Sequence, residues 1–266
     1  CSDYQREVAT AQEGFRAEQA VTITHGVHLP RFAPRVDRAA CRRSLGLKAD
    51  GVVIGTIGRP IEEKGHTHLI DAATTVLERH PEAEFLIVGE GQLRAALEAQ
   101  AARAGLGDRV HFTGARSDVP ELLSIMDVFA FPSISEGFGI AVLEAMASRL
   151  PVIASDIRPL ADIIEDSVTG LLVPAGDGAA LARAVTRVLD DADLRFQLAA
   201  RGRALVERQY TDRHMVGAHE ELYLALTRQA LTGRTGTGSA TACRDQPEVA
   251  NHARAYVPPH QEAHIP

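Results

Sequence analysis

Val52-Val53-Ile54-Gly55-Thr56-Ile57, then Gly58-Arg59-Pro60-Ile61-Glu62-Glu63-Lys64-Gly65, then a helical pattern over residues 66–79 and a second apolar run, Phe85-Leu86-Ile87-Val88, form the stretch on which the fold turns. An apolar run of strand length with no polar alternation is suited to burial on both faces, as in a parallel sheet. Two parallel neighbours need a crossover connection, most simply a helix. The same order repeats downstream. Val110-His111-Phe112, Val128-Phe129-Ala130-Phe131, Pro151-Val152-Ile153-Ala154 and the shorter Leu171-Leu172-Val173 are further strand candidates. Helices are expected between them, over about 92–104, 119–125, 139–149, 159–165 and 178–190. The fold class is therefore α/β, a doubly wound parallel sheet of Rossmann-like type. In such sheets the ligand crevice lies beyond the C-terminal ends of the strands.

Two more helices are expected over 193–208 and 212–227. Before the first strand, residues 2–16 read as a polar helix with too few apolar positions to build a core, and residue 1 is Cys rather than Met. From about residue 231 the sequence loses apolar periodicity and turns to Thr, Gly, Arg, Ser, Pro and His. Residues 231–266 are expected to be a disordered tail.

Composition narrows the classes of function. The 266 residues are 45% hydrophobic, enough for a sizeable core, and carry a net charge of −7. An acidic surface attracts neither nucleic acid nor an anionic membrane. Cys1, Cys41 and Cys243 are odd in number and scattered, which is neither a disulfide framework nor a metal-ligand spacing. Reduced thiols and a cytoplasmic location are expected. No apolar run approaches the ~20 residues of a membrane span, and no signal-peptide pattern opens the chain.

The chemistry is sought in the loops that follow strands. After the first strand, Arg59 and Lys64 bracket a Pro-containing turn and could clamp a diphosphate, Arg59 as a planar fork and Lys64 as a point charge. The alternative is a solvated loop in which Lys64 pairs with Glu62 or Glu63. After the second strand, Gly89-Glu90-Gly91 begins like a dinucleotide fingerprint, but Arg94 occupies the third glycine position and no acidic ribose ligand follows at the expected distance. A nicotinamide cofactor is disfavoured. After the third strand, the loop around Arg116 could line a base pocket, with Asp118 expected to cap the next helix.

After the fourth strand, Glu136 and Glu144 flank Gly137-Phe138-Gly139-Ile140 at a helix start. Carboxylates accept from hydroxyls and a helix N-terminus attracts anions, so a ligand carrying both hydroxyls and phosphates suits this loop. The glycines would let the backbone approach such a ligand. The plainer reading makes Glu144 a surface helix residue and Glu136 a first-turn carboxylate favoured by the helix dipole. Asp191-Ala192-Asp193 has the Asp-x-Asp spacing of a metal site, but it follows a helix, and Asp193 is placed to cap the next one. His25 and His28 could be ligands or acid/base groups, though turn positions suit both. His260 and His264 fall in the expected tail.

Taken in order, these segments resemble the C-terminal, donor-binding half of the retaining GT-B glycosyltransferases (glycosyl transferases group 1, family 4 type). The matching elements are Ile23-Thr24-His25-Gly26-Val27-His28-Leu29-Pro30-Arg31-Phe32, Gly58-Arg59 to Lys64-Gly65, Val88-Gly89-Glu90-Gly91, Phe112-Thr113-Gly114, Pro132-Ser133-Ile134-Ser135-Glu136-Gly137-Phe138-Gly139 through Glu144-Ala145-Met146-Ala147, and Gly170-Leu171-Leu172-Val173. Together they cover about residues 20–225. The chain departs from the family's Asn-Gly-Val-Asp at His25-Gly26-Val27-His28.

The resemblance implies a nucleotide diphosphate sugar as donor substrate, with no metal and no other cofactor. Glu136, Arg59 and Lys64 would form the catalytic set, Glu136 on the sugar and the two cations on the diphosphate. Gly58, Arg116, Gly137, Phe138, Gly139, Ile140 and Glu144 would complete the donor site, Glu144 on the ribose. The departing phosphate and the entering acceptor would share one face, so that anomeric configuration is retained. The resemblance also divides the chain. Residues 1–24 are expected to be a remnant of an N-terminal acceptor domain or an interdomain linker, and 25–230 the donor-binding domain. The acceptor domain itself is expected to be missing, and any peripheral membrane association would fall to it. Rival readings are a stand-alone nucleotide-sugar-binding module without catalysis and an epimerase or phosphorylase of the same architecture.

Overall fold

The computed structural model describes residues 2–33 and 36–233, with side chains to residue 228. Helix α1 (Asp3–Gln12) and a 3-10 turn (Ala17–Gln19) precede a second 3-10 turn (Leu29–Phe32) and α2 (Arg38–Ser44). The body alternates β1 (Val52–Ile57), α3 (His66–Arg79), β2 (Ala83–Val88), α4 (Arg94–Arg103), β3 (Val110–Gly114), α5 (Val119–Ile125), β4 (Val128–Phe131), α6 (Ile140–Ala147), β5 (Val152–Ser155), α7 (Leu160–Ile163), β6 (Leu171–Val173) and α8 (Gly178–Asp190). It closes with α9 (Ala192–Gln209) and α10 (Asp212–Gly233). The described residues up to Tyr223 form one compact unit, and those from Leu224 belong to a second.

All neighbouring strands pair in parallel, in the order β3-β2-β1-β4-β5-β6. The chain winds outward from β1 in one direction and then, from β4, in the other. The order therefore reverses between β1 and β4, and the crevice of a doubly wound sheet lies beyond the C-terminal ends of those two strands.

Burial on both faces explains the uninterrupted apolar strands. Val53, Leu86, Phe129, Phe131, Val152 and Ala154 point into the core beneath α5, α6 and α9. Their alternating neighbours Ile54, Phe85, Ile87, Val128, Ala130 and Ile153 point into the core beneath α3, α4 and α8. Each large side chain fully buried this way contributes roughly 1.5–3 kcal/mol before the entropy of ordering is set against it.

Helix α2 carries no apolar periodicity and was not expected. It forms because Asp37 caps it, accepting from the Ala40 N–H at 3.0 Å, and because Arg42 has a buried destination. Arg42 donates to the Ile125 carbonyl (2.9 and 2.6 Å), the Gly51 carbonyl (2.7 Å) and Asp127 (2.7 Å). Asp127 in turn accepts from the Val53 N–H at 2.8 Å. This satisfied buried charge clamps the N-terminal ends of β1 and β4, so their C-terminal ends are held in register.

Three local expectations are corrected. The last helix runs to Gly233, through residues assigned to the tail; the remaining tail, with His260 and His264, lies outside the described residues. Asp118 does not cap α5 with its side chain, because Arg116 takes both of its oxygens. The cap of α9 is Asp191, not Asp193: the Asp191 N–H closes α8 on Arg187 while its carboxylate accepts from the Leu194 N–H at 2.9 Å.

Candidate functional site

The loops after β1 and β4 meet at the reversal point of the sheet. Ile134 and Ser135 both donate backbone N–H bonds to the Glu63 carbonyl, at 2.8 and 3.3 Å. Gly65 sits at φ 62° and presses on the Pro132 carbonyl so closely that a Cβ would lie 2.0 Å from that oxygen. Only glycine satisfies both demands there. This backbone contact sets the two loops face to face.

Side chains then bridge them. Lys64 Nζ lies 2.5 Å from Glu136 Oε1, which also accepts from Ser133 Oγ at 2.7 Å. Only 6% of the Glu136 side chain and 22% of the Lys64 side chain are exposed, and Ser133 is fully buried. Lys64 Nζ also stands 5.6 Å from the centre of the Phe131 ring. A buried, paired and hydrogen-bonded carboxylate of this kind is held in one rotamer. The solvated-loop alternative is thereby corrected: Lys64 pairs with neither Glu62 nor Glu63. Glu136 lies four residues ahead of α6, not in its first turn.

Arg59, across the same loop, is exposed, and its guanidinium has no partner among the described residues. The structure thus presents one engaged cation and one free one at the mouth of the crevice. At the start of α6, Val142 is the first residue to donate back, to the Gly139 carbonyl at 3.0 Å. The N–H groups of Phe138, Gly139 and Ile140 have no acceptor among the described residues, and they lie at the positive end of the helix.

Both glycines of this turn lie close to other parts of the protein. Gly139 is at φ 91°, and a Cβ on it would lie 2.4 Å from Leu160 Cδ2. A Cβ on Gly137 would meet the Gln5 side chain at 2.5 Å, and Ser2 Oγ donates to the Gly137 carbonyl at 2.8 Å. Leu160 and the left-handed backbone require glycine at 139, whereas Gly137 has no positive φ and meets the end of the Gln5 side chain. Helix α1 thus touches the loop, with a further tie from Arg158 to Glu7 at 2.8 Å. The Phe138 ring points into the core, edge-on to His25 with centroids 5.3 Å apart, so only its backbone faces the crevice. Ile140 is 44% exposed.

Glu144 follows on α6, half-buried, its carboxylate without a hydrogen-bond partner among the described residues. Burial holds its pKa above the ordinary glutamate value, with the charge of Arg31 opposing the rise. Gly58 lies at the end of β1 beside the Lys64 stem. Arg116 is committed to Asp118, Nε to Oδ1 at 2.9 Å and the terminal nitrogen to Oδ2 at 2.7 Å, so this loop offers its backbone more readily than that guanidinium. His28 is paired to Asp212 at 2.6 Å.

Ser133 and Arg31 were not singled out from the sequence. Ser133 was recoverable from its spacing, three residues before Glu136; Arg31 has no local signal. Among the described residues no group of three or more His, Cys, Asp or Glu side chains could hold a metal ion, and no helix is long and apolar enough to cross a membrane. A surface groove of about 980 Å³ lies near the C-terminal ends of α3 and α8, and none of these loop residues lines it. Its lining includes Arg79 and Asp190, paired with each other at 2.7 Å.

Residues 37–205 match the family profile of glycosyl transferases group 1. The chain belongs to that family. The mannosyltransferase LpsB of lipopolysaccharide core biosynthesis in Rhizobium meliloti is 29% identical over 213 residues, covering 77% of this chain and 61% of LpsB. The crystal structure of Anabaena HepE with UDP and glucose superposes with a TM-score of 0.77 at 27% identity, covering 85% of this chain and 62% of that one. A C-terminal domain of a glycosyl transferase group 1 family protein from Francisella tularensis is matched over its whole length, at 30% identity and a TM-score of 0.64, by 70% of this chain. Against the curated family members it matches first, the chain spans about half to three-fifths of their length. The six-stranded parallel sheet flanked by helices is the GT-B fold class these structures share.

Proposed function

We propose that this chain is the donor-binding part of a retaining glycosyltransferase that moves a hexose-type unit from a nucleotide diphosphate sugar to an acceptor, without a metal. The observation that carries the reading is the Lys64–Glu136 pair at the reversal point of the sheet, with the unpaired Arg59 beside it. Arg59 and Lys64 bind the diphosphate and offset the charge that grows on the leaving group, the service a metal would otherwise give. The N–H groups of Phe138, Gly139 and Ile140 add donors at the α6 N-terminus, and Gly137 belongs to the same turn. Glu136 accepts from the sugar hydroxyls, and Glu144 from the ribose. Gly58 and the backbone of the loop at Arg116 flank the nucleotide.

In the retaining course, the bond between the anomeric carbon and the phosphate oxygen breaks and that oxygen keeps the electron pair. The acceptor oxygen bonds to the same face of the carbon, and its proton passes to the departing phosphate. The glycosyltransferase names of the relatives and the UDP complex of HepE support transfer over epimerisation, phosphorolysis or binding alone. The partial coverage of the relatives supports an acceptor site built by residues outside this chain. Reduced thiols and this substrate class favour a cytoplasmic location.

The test is calorimetric titration with UDP-, GDP- and ADP-sugars in EDTA. Binding that weakens by about tenfold or more in Arg59→Ala and Lys64→Ala is expected from loss of a charge-assisted bond. Equal affinity in both variants would overturn the site assignment.

A further inference from the structure

The loop after β1 contains a polar side chain that the reading above leaves unused. His66 opens α3, directly after Lys64 and Gly65, and is 2% exposed. Its Nδ1 is buried without a hydrogen-bond partner among the described residues. Its Nε2 faces Gly58: a Cβ on Gly58 would lie 3.8 Å from Nε2 and 3.7 Å from the Cγ and Cδ of Lys64. Those are ordinary contact distances, so the hydrogen that Gly58 carries in place of a side chain leaves a niche one atom deep. The imidazole and the Lys64 stem wall that niche. It opens beside the two cations assigned to the diphosphate.

A histidine buried at a helix N-terminus beside a lysine is kept uncharged. Its pKa is lowered to about 4, first by burial and then by the charge of Lys64, and the positive end of the 14-residue α3 acts in the same sense. A neutral imidazole has one N–H. Placing that proton on Nδ1 would strand a donor in the core. Placing it on Nε2 aims the donor at the niche and leaves the naked nitrogen inside. Nε2 has no hydrogen-bond partner among the described residues, so it is the nitrogen whose donor a ligand at Gly58 can satisfy, and Nδ1, the bare acceptor, stays in the core.

We propose that His66 is a further donor-binding residue, whose neutral Nε2–H bonds a diphosphate oxygen seated over Gly58 between Arg59 and Lys64. The inference rests on the donor reading and deepens it. It adds to the point charge of Lys64 and the exposed guanidinium fork of Arg59 a donor that burial holds in one place.

The test follows the His66 imidazole by ¹⁵N NMR in the full chain at pH 7 while UDP-, GDP- and ADP-sugars are added. Before addition, Nε2 is expected to carry the proton and Nδ1 to be bare; on binding, the Nε2 resonance moves and the tautomer is unchanged. His66→Gln, whose amide can place N–H near the same point, is expected to hold affinity within about threefold, and His66→Leu to lose about tenfold. If Arg59→Ala weakens binding but the His66 resonances stay fixed, or if the leucine variant binds as the parent does, the role of His66 is refuted and the donor reading stands. If none of the three sugars binds the parent chain, the donor reading itself fails, and the inference with it. Should the leucine variant not fold, the parent resonance and His66→Gln decide between the outcomes, and an unmoved resonance overturns the proposal.

Discussion

Lys64 and Glu136 stand 72 residues apart in the sequence and 2.5 Å apart in the structure, Nζ to Oε1, joining the loops that leave β1 and β4. The contact couples two groups assigned separate tasks, one on phosphate and one on sugar. A diphosphate that draws Lys64 toward itself therefore also changes what holds Glu136 in place.

Removing Lys64 leaves the Glu136 carboxylate with Ser133 as its remaining partner, in a site 6% exposed. Lys64→Ala is expected to destabilise the chain by about 1–3 kcal/mol, and Glu136→Ala by less, because the stranded carboxylate is more deeply buried than the stranded ammonium, 6% against 22% exposed. A double-mutant cycle read by urea unfolding checks this. Strictly additive single effects would show that the pair is not coupled.

Arg59 is exposed and unpaired, so its loss takes nothing from the folded state. Arg59→Ala is expected to change stability by less than about 0.5 kcal/mol while donor affinity falls about tenfold or more. Thermal unfolding alongside calorimetry separates the two effects. A large loss of stability would mean that Arg59 braces the loop instead.

Gly139 combines φ 91° with a Cβ direction blocked by Leu160. Gly139→Ala is expected to cost about 1–3 kcal/mol of stability. The start of α6 should shift, and donor binding weaken with it. Gly107 has open space where a Cβ would be and no positive φ, so Gly107→Ala is the matched control and should unfold at the parent temperature. Equal behaviour of the two variants would contradict the packing argument.

Glu144 titrates upward because of burial. With a folded pKa above the unfolded one, the native state binds more protons between them, so stability falls as pH rises through that window and the deficit persists above it. Glu144→Gln removes the ionising group. It is expected to be more stable than the parent at pH 7, with the advantage vanishing below about pH 4, the ordinary range of a glutamate. Unfolding temperatures of both proteins from pH 3 to pH 8 give the answer. A pH-independent difference would mean that the carboxylate is not desolvated in the folded chain.

The bounds of β1, β4 and β6, and of α3, α5 and α8, were legible because apolar runs and helical periodicity are local patterns, and these segments end at Gly, Pro or polar punctuation. Helix α2 was not legible. It is held by Arg42 reaching the Ile125 carbonyl 83 residues away, a partner that no local window contains. The caps misled for a related reason. An Asp beside a helix can cap it or bind a nearby Arg, and at Asp118 the planar fork of Arg116 captured both oxygens. His66 read as the first residue of a helix, since nothing in its neighbours tells that its ring turns inward.

The sequence by itself determined the fold class, the succession of strands and helices, and the family, because each rests on short patterns repeated in order. It also marked the candidate donor-site residues, Arg59, Lys64, Glu136 and Glu144 among them. Which of them meet was decided only by tertiary structure. The strand order places β1 beside β4 and sets the Glu63 carbonyl against the backbone of Ile134 and Ser135. That leaves Lys64 inside reach of Glu136, Arg59 free, and His66 turned toward Gly58. A side chain's partner depends on what the sheet brings alongside it, and that neighbour comes from a distant part of the chain.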